Sequence, residues 1–132
     1  MRLLKPACWP RPKGYSNGVE TRGRLVFVSG MIGWNENEQI VGADLASQTR
    51  QALKNIVAVL SEAGAKPEHI VRMTWYLVDK QEYLSACQTI GEIYREIIGR
   101  HYPAMTAVEV RSLIVDQARV EIEVTAVIPD AA

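Results

Sequence analysis

Glu121 and Glu123 alternate with Ile122 and Val124 in the segment RVEIEVTAVI (119–128), and Glu109 closes the alternating run of HYPAMTAVEV (101–110). Residues two apart share one face of an extended strand. A carboxylate held on such a face can orient a water and pass a proton to a reacting nitrogen or oxygen. If the two runs pair as a hairpin closing between Arg111 and Arg119, Glu109 lies opposite Glu121 and Ala107 opposite Glu123. Met105, Ala107, Glu109, Glu121 and Glu123 then share a face. Like charges set opposite one another repel unless cations or hydrogen bonds intervene. In HIVRMTWYLVD (69–79) alternation separates Arg72, Thr74 and Tyr76 from an apolar set of Val71, Met73, Trp75 and Leu77. Arg72 can supply a compensating charge.

Other chemistries find less support. His69 and His101 are the only histidines, and no Cys/His/Asp spacing supplies three or four metal ligands. Ser29 has no evident histidine partner for a nucleophile triad, and Cys87, on the apolar stripe of a helical segment, reads as packing. The stretch GADLASQTR lacks a phosphate-cradling glycine pattern.

Of the 132 residues, 48% are hydrophobic, enough for one compact domain with a real core. Fifteen Lys and Arg balance fifteen Asp and Glu, and the pI is near 6.7. Such a chain offers no field for nucleic acid or an anionic membrane. Two distant cysteines, Cys8 and Cys87, suit a reducing compartment. The prolines at 6, 10 and 12 break any apolar leader, and no run approaches the roughly 18 apolar residues of a membrane span. A cytoplasmic protein is expected.

The elements that would position these residues follow from periodicity. A Pro-rich arm covers 1–13. VETRGRLVFVSGMI predicts a hairpin turning near Arg22-Gly23, and GWNENEQIVGAD a polar loop. From about Leu45 to Ala63 the period is helical, with Ala52, Leu53, Ile56, Val59 and Leu60 on one stripe, Asp44 as N-cap and Gly64 as stop. Residues 69–79 read as a strand. Asp79 then caps a second helix through Ile98, with Tyr83, Cys87, Ile90, Tyr94, Ile97 and Ile98 inward and Gly99 as stop. Gly91, in mid-helix, predicts a close neighbour. Two strands, about 105–111 and 119–128, complete a ββαβαββ order: an α+β domain with two helices on one face of a single sheet. The other face, bearing the carboxylates with Tyr76 and Met105, is either solvated or an oligomer interface with polar pockets.

Several strings, in order, resemble the Rid family (reactive intermediate deaminases, also called YjgF or L-PSP proteins). They are GYSNGV, LVFVSGMIG, QTRQALKNIVAVLSEAGA, HIVRMTWYLVDKQEY, HYPAMTAVEV and VEIEVTAV, spanning roughly residues 14–128. The resemblance implies one Rid-like domain over 1–132 with a chorismate-mutase-like fold. It implies a homotrimer whose sheets face inward and whose clefts between subunits take a small metabolite. In deaminase members these clefts bind 2-aminoacrylate and related enamine or imine acids, which water hydrolyses to a keto acid and ammonia without metal or organic cofactor.

Carried onto this chain, the family's N-terminal aromatic falls at Tyr15, its SG dipeptide at Ser29-Gly30 and its last-strand glutamate at Glu121. Tyr15 and Trp34 would wall the pocket. The Pro-Ala-Arg motif, however, reads Pro103-Ala104-Met105, and Gly91 replaces a helix asparagine. In the deaminases that arginine holds the substrate carboxylate with a planar pair of donors; methionine offers no donor and no charge. Arg72, Arg100 and Arg111 are candidates to take its place. Two readings follow: an enamine or imine deaminase of altered specificity, with Glu121 handling the water, or a trimer that binds a small metabolite without turnover. A third, RNA cleavage, conflicts with the neutral charge balance.

Overall fold

A computed structural model describes residues 1–130. In chain order the elements are β1 (Arg2–Leu4), β2 (Gly18–Glu20), β3 (Arg24–Met31), α1 (Leu45–Glu62), β4 (Ile70–Leu77), α2 (Lys80–Ile97), β5 (Ala104–Glu109) and β6 (Val120–Ile128), with a 3-10 turn at Pro67–His69 before β4.

Both helices start and stop at the residues that local chemistry nominates. The Asp44 carboxylate accepts the Ser47 N–H at 2.9 Å, and Asp79 accepts from the N–H groups of Gln81 and Glu82, satisfying donors that a helix start leaves free. Gly64 and Gly99 follow the helices at φ 73° and 94°, where a side chain would be strained. From α1, Leu45, Ala52, Leu53, Ile56 and Leu60 are buried, while Val59 is not. The buried face of α2 is Ile90, Ile93, Tyr94 and Ile98. The stripe is rotated toward Ile93, which leaves Cys87 exposed rather than packed. Nor does another element press on Gly91; a Cβ there would meet only Arg95 Nη1, at 3.4 Å.

The architecture is α+β, with α1 and α2 sharing one core against a four-stranded sheet of order β3-β6-β4-β5. Three expectations need correction. The single sheet is in fact two, because β1 and β2 form a separate antiparallel pair. β2 therefore does not form a hairpin with β3. Gly23, at φ 146°, passes so tightly over the end of β6 that a Cβ would lie 2.1 Å from the Ile128 carbonyl oxygen.

The third correction moves Met105. β5 and β6 do not pair; β5 runs parallel beside β4, and β6 returns between β3 and β4, antiparallel to both. The crossover through α2 is the physical reason. A β-α-β connection joins parallel strands, and it delivers β5 to the edge next to β4. The register sets Met105 beside Met73, Ala107 beside Trp75 and Glu109 beside Leu77. All three therefore lie on the helix-covered side, and Met105 packs against the core. Glu109 faces no other glutamate; its carboxylate accepts the N–H of Lys80, the first residue of α2, at 2.7 Å.

Candidate functional site

The open face of the sheet carries Leu25 and Phe27 from β3, Glu121, Glu123 and Thr125 from β6, Arg72, Thr74 and Tyr76 from β4, and Thr106 from β5. The register places Tyr76 beside Glu121, Thr74 beside Glu123, and Phe27 beside Thr125. The Tyr76 hydroxyl donates to Glu123 Oε1 at 2.6 Å, and this bond, above all, holds the phenol above its ordinary pKa. Arg72 reaches sideways to Thr106 Oγ1 at 3.3 Å. Leu25 and Phe27 of β3 are 62% and 72% exposed, an apolar flank to a polar patch.

Glu121 lies near the start of β6, an inner strand of this sheet. The β3–β6 ladder is irregular between Val28 and Met31, where Ser29 and Gly30 form the bulge. Bulges redirect side chains and open room in a sheet. Here the room is filled by Glu121, since a Cβ on Gly30 would fall 2.0 Å from Glu121 Oε2 and 2.8 Å from its Cδ. Only glycine permits that approach. The chain thus brings Ser29, Gly30 and Glu121 together. Trp34 lies beyond the same end of β3, in a loop closed by pairing with Ile40, and Asn55 Nδ2 donates to its carbonyl at 2.9 Å.

Tyr15 and Met105 form a second group at the β5 edge of the sheet. Ser16 pairs with Ala104 across the β5 edge; its N–H donates to the Pro103 carbonyl at 3.0 Å and its hydroxyl to the Tyr102 carbonyl at 2.5 Å. Tyr15, 42% exposed, is thereby fixed beside Pro103-Ala104-Met105. The segment is held from behind as well. Tyr94 stacks on Tyr102 with ring centroids 5.6 Å apart and donates to the His101 carbonyl, while His101 Nε2 contacts the Ile70 carbonyl at 2.6 Å. Burial keeps the Tyr94 hydroxyl protonated far above the usual phenol range. Ser16, Tyr94, His101 and Tyr102 were missed as site supports by the sequence reading. Only the adjacency of Ser16 to Tyr15 hinted at one of them.

These two groups do not meet within one chain. Met105 lies opposite Met73, Met73 lies opposite Val124, and Glu121 is three residues further along β6. At about 4.8 Å per strand and 3.3 Å per residue the Cα atoms of Met105 and Glu121 are about 14 Å apart, and their side chains leave opposite faces. One small ligand cannot touch both within a single chain. Of the candidate cations, Arg72 stands next to Ala104 but on the open face. Arg111 lines a separate polar cleft with Asp79, Asp116 and Arg119, where Arg119 is already paired with Glu82. Among the described residues no three His, Cys, Asp or Glu side chains converge as metal ligands, and no helix is long and apolar enough to cross a membrane.

Known proteins share this fold over nearly the whole chain. Residues 10–128 match the Endoribonuclease L-PSP family. A RutC family protein of Pyrococcus abyssi is 38% identical over 106 residues, 79% of this chain and 80% of that protein. The human 2-iminobutanoate/2-iminopropanoate deaminase is 32% identical over 128 residues, 96% of this chain and 89% of that one. Among solved structures, the Rid family protein YyfB from Yersinia pestis superposes with a TM-score of 0.82 at 34% identity, covering 96% of this chain and 98% of that one. Escherichia coli TdcF with bound serine does so with a TM-score of 0.68 at 31% identity, covering 96% and 98%. The chain therefore belongs to the Rid/YjgF (L-PSP) family.

Proposed function

We propose that the protein is an imine deaminase, hydrolysing a reactive enamine or imine to a carbonyl compound and ammonia. The observation that carries this reading is the Glu121 carboxylate seated over Gly30 in the β3 bulge. In the overall reaction water adds its oxygen to the imine carbon, the carbon–nitrogen bond breaks, and nitrogen leaves as ammonia. Glu121 takes a proton from the attacking water and passes it to the imine nitrogen, then carries the hydroxyl proton of the resulting carbinolamine to the same nitrogen as the carbon–nitrogen bond breaks and the carbonyl forms, with Ser29 and the backbone at Gly30 orienting the substrate. The name of the human relative and the serine bound in TdcF support a small amino-acid-derived substrate. Water and protein groups suffice, so no metal or organic cofactor is called for, and a cytoplasmic setting suits the reaction.

The active unit in this reading is a homotrimer. The 14 Å separation of the two half-sites is closed by a second copy, which sets Tyr15 and Met105 of one chain against Ser29, Gly30 and Glu121 of another. The exposed Leu25 and Phe27 supply an apolar contact for that assembly. Trp34 and Arg72 line the approach, and Met105 gives the cleft a thioether where a carboxylate clamp would need a cation. Specificity then shifts to imines that do not depend on that clamp. RNA cleavage fits poorly, since fifteen basic and fifteen acidic residues leave no phosphate footprint.

One observation favours a second reading, a binding trimer without turnover: Met105 supplies no charge. A single experiment separates the two. Imines with and without a carboxylate are generated in situ by an amino-acid or amine oxidase, and their loss is followed with the wild type and with Glu121→Gln. Acceleration by the wild type that Glu121→Gln abolishes supports deamination. No acceleration on any imine leaves the binding trimer, and turnover retained by Glu121→Gln removes Glu121 from the mechanism.

A further inference from the structure

We infer that Gln48, Gln51 and Asn55 of α1 are positioning residues that hold the Glu121 carboxylate in place over Gly30. The inference rests on the reading of Glu121 as the water-handling group. The three amides fall at i, i+3 and i+7, along one stripe of the helix. Gln48 is completely buried, where an amide left without partners is costly. Its Oε1 accepts the Arg119 N–H at 2.7 Å, and its Nε2 donates to the carbonyls of Gln117 at 3.0 Å and Gly42 at 3.2 Å. Asn55 Nδ2 donates to the carbonyls of Ile32 at 3.2 Å and Trp34 at 2.9 Å. Gln51 Nε2 donates to Asn55 Oδ1 at 2.8 Å, which turns the Asn55 amide so that its donors face those carbonyls.

The targets are what give the stripe its meaning. Arg119 stands two residues before Glu121, and Ile32 two residues after Gly30. One side chain thus fixes the chain entering β6 and another fixes the chain leaving β3, on either side of the point where carboxylate and glycine interlock. Gly33 adds a third restraint; a Cβ there would fall 2.6 Å from the Gln48 Cα, so the β3 exit lies flat on α1. A bulge is a weakly paired part of a ladder. The amides add side-chain restraints on both strands to the ladder pairs at Val28–Val124 and Met31–Ile122 that flank the bulge. Core packing alone would have been served by apolar residues at 48, 51 and 55; the amides trade apolar contact for fixed backbone distances.

The test compares Asn55→Leu and Gln51→Met with Leu60→Ala, which opens the core of the same helix away from these contacts. Two readouts are taken: the side-chain carboxyl carbon resonance of Glu121 by NMR, and kcat and KM for imine hydrolysis. In Asn55→Leu the Glu121 resonance is expected to broaden or move toward the position of a free glutamate. kcat should fall roughly tenfold to a hundredfold, the cost of misplacing a reacting group by about 1 Å, with KM changed less than about threefold. Gln51→Met, which leaves Asn55 in place but unoriented, should show a smaller change of the same kind and serves if Asn55→Leu does not fold. Leu60→Ala should lower the unfolding temperature yet leave the resonance and kcat unmoved. An unchanged Glu121 resonance in both amide variants, or the same change in Leu60→Ala, overturns the inference. Because the resonance needs no turnover, a wild type inactive on every imine would sink the deaminase reading and still leave the positioning claim decided.

Discussion

Gly30 and Glu121 interlock: the place where a Cβ would stand on Gly30 is occupied by Glu121 Oε2, 2.0 Å away. Gly30→Ala therefore cannot be accommodated without moving the carboxylate, the far end of a flexible side chain. The fold should survive, because the side chain can swing toward the open face. Imine turnover should drop about a hundredfold, as for a reacting group displaced by about 1 Å. Circular dichroism and the unfolding midpoint would check the first point and kcat/KM the second. Full activity in a folded Gly30→Ala protein would show that the contact has no bearing on the chemistry.

Met105 stands beside Met73 on the helix-covered side of β5, half-buried against the core, with Tyr15 held next to its strand. Met105→Arg adds a planar donor pair there, and a charge-assisted hydrogen bond contributes about 1.5–3 kcal/mol. For an imine bearing a carboxylate, kcat/KM should rise by about ten- to a hundredfold, since each 1.4 kcal/mol is a factor of ten. For a neutral imine it should not rise at all. Parallel assays on the two substrates give the ratio. An equal effect on both would show that position 105 does not face the acid end of the substrate.

The helices were legible in the sequence to within a residue or two, because Asp44, Asp79, Gly64 and Gly99 act within one turn of their own positions. The alternation in β4 and β6 was legible too, and it sorted Arg72 and Tyr76 with Glu121 and Glu123 on one face. Strand order was not. Alternation says that Met105, Ala107 and Glu109 share a face but not which face, and that is decided by the neighbouring strand. The short 110–119 connection led to a hairpin of the last two strands, whereas the α2 crossover in fact sets β5 parallel to β4. Alternation put Glu121 on its face and family resemblance marked it and Gly30 as site residues, whereas their contact depends on a bulge that no local pattern announces. Gln48 and Asn55 left a fainter trace, as amides on the same helix as the Leu53 and Ile56 stripe.

Acid should expose the Asp44 cap. Its carboxyl is held below the ordinary carboxylate value, mainly by the Ser47 N–H it accepts. The folded pKa is lower than the unfolded one, so the ionised cap stabilises the fold fully above the unfolded pKa, about 3.9. That contribution is lost as the pH falls through the folded value. Wild type should therefore exceed Asp44→Ala in urea midpoint at pH 7, and the gap should narrow below about pH 4. A gap constant from pH 7 to pH 3 would mean that the charge on Asp44 plays no part.

Phe27 offers the sharpest test of assembly. It is 72% exposed in the middle of a strand, beside Thr125, on the face that carries Glu121 and Glu123. An aromatic ring left in water there forgoes roughly 1.5–3 kcal/mol of burial, which three copies closing their sheets together would recover. Phe27→Glu should split the proposed trimer, since it sets a third carboxylate against two already present and removes the apolar contact. Helix content should stay unchanged, because α1 and α2 pack on the other side. Light scattering would read the mass, and turnover measured on the same fractions should fall with the trimer if Tyr15 and Glu121 of different chains share each cleft. A wild type that runs as a monomer, or a monomeric Phe27→Glu that keeps full activity, would place the whole site within one chain against the 14 Å separation estimated from strand spacing.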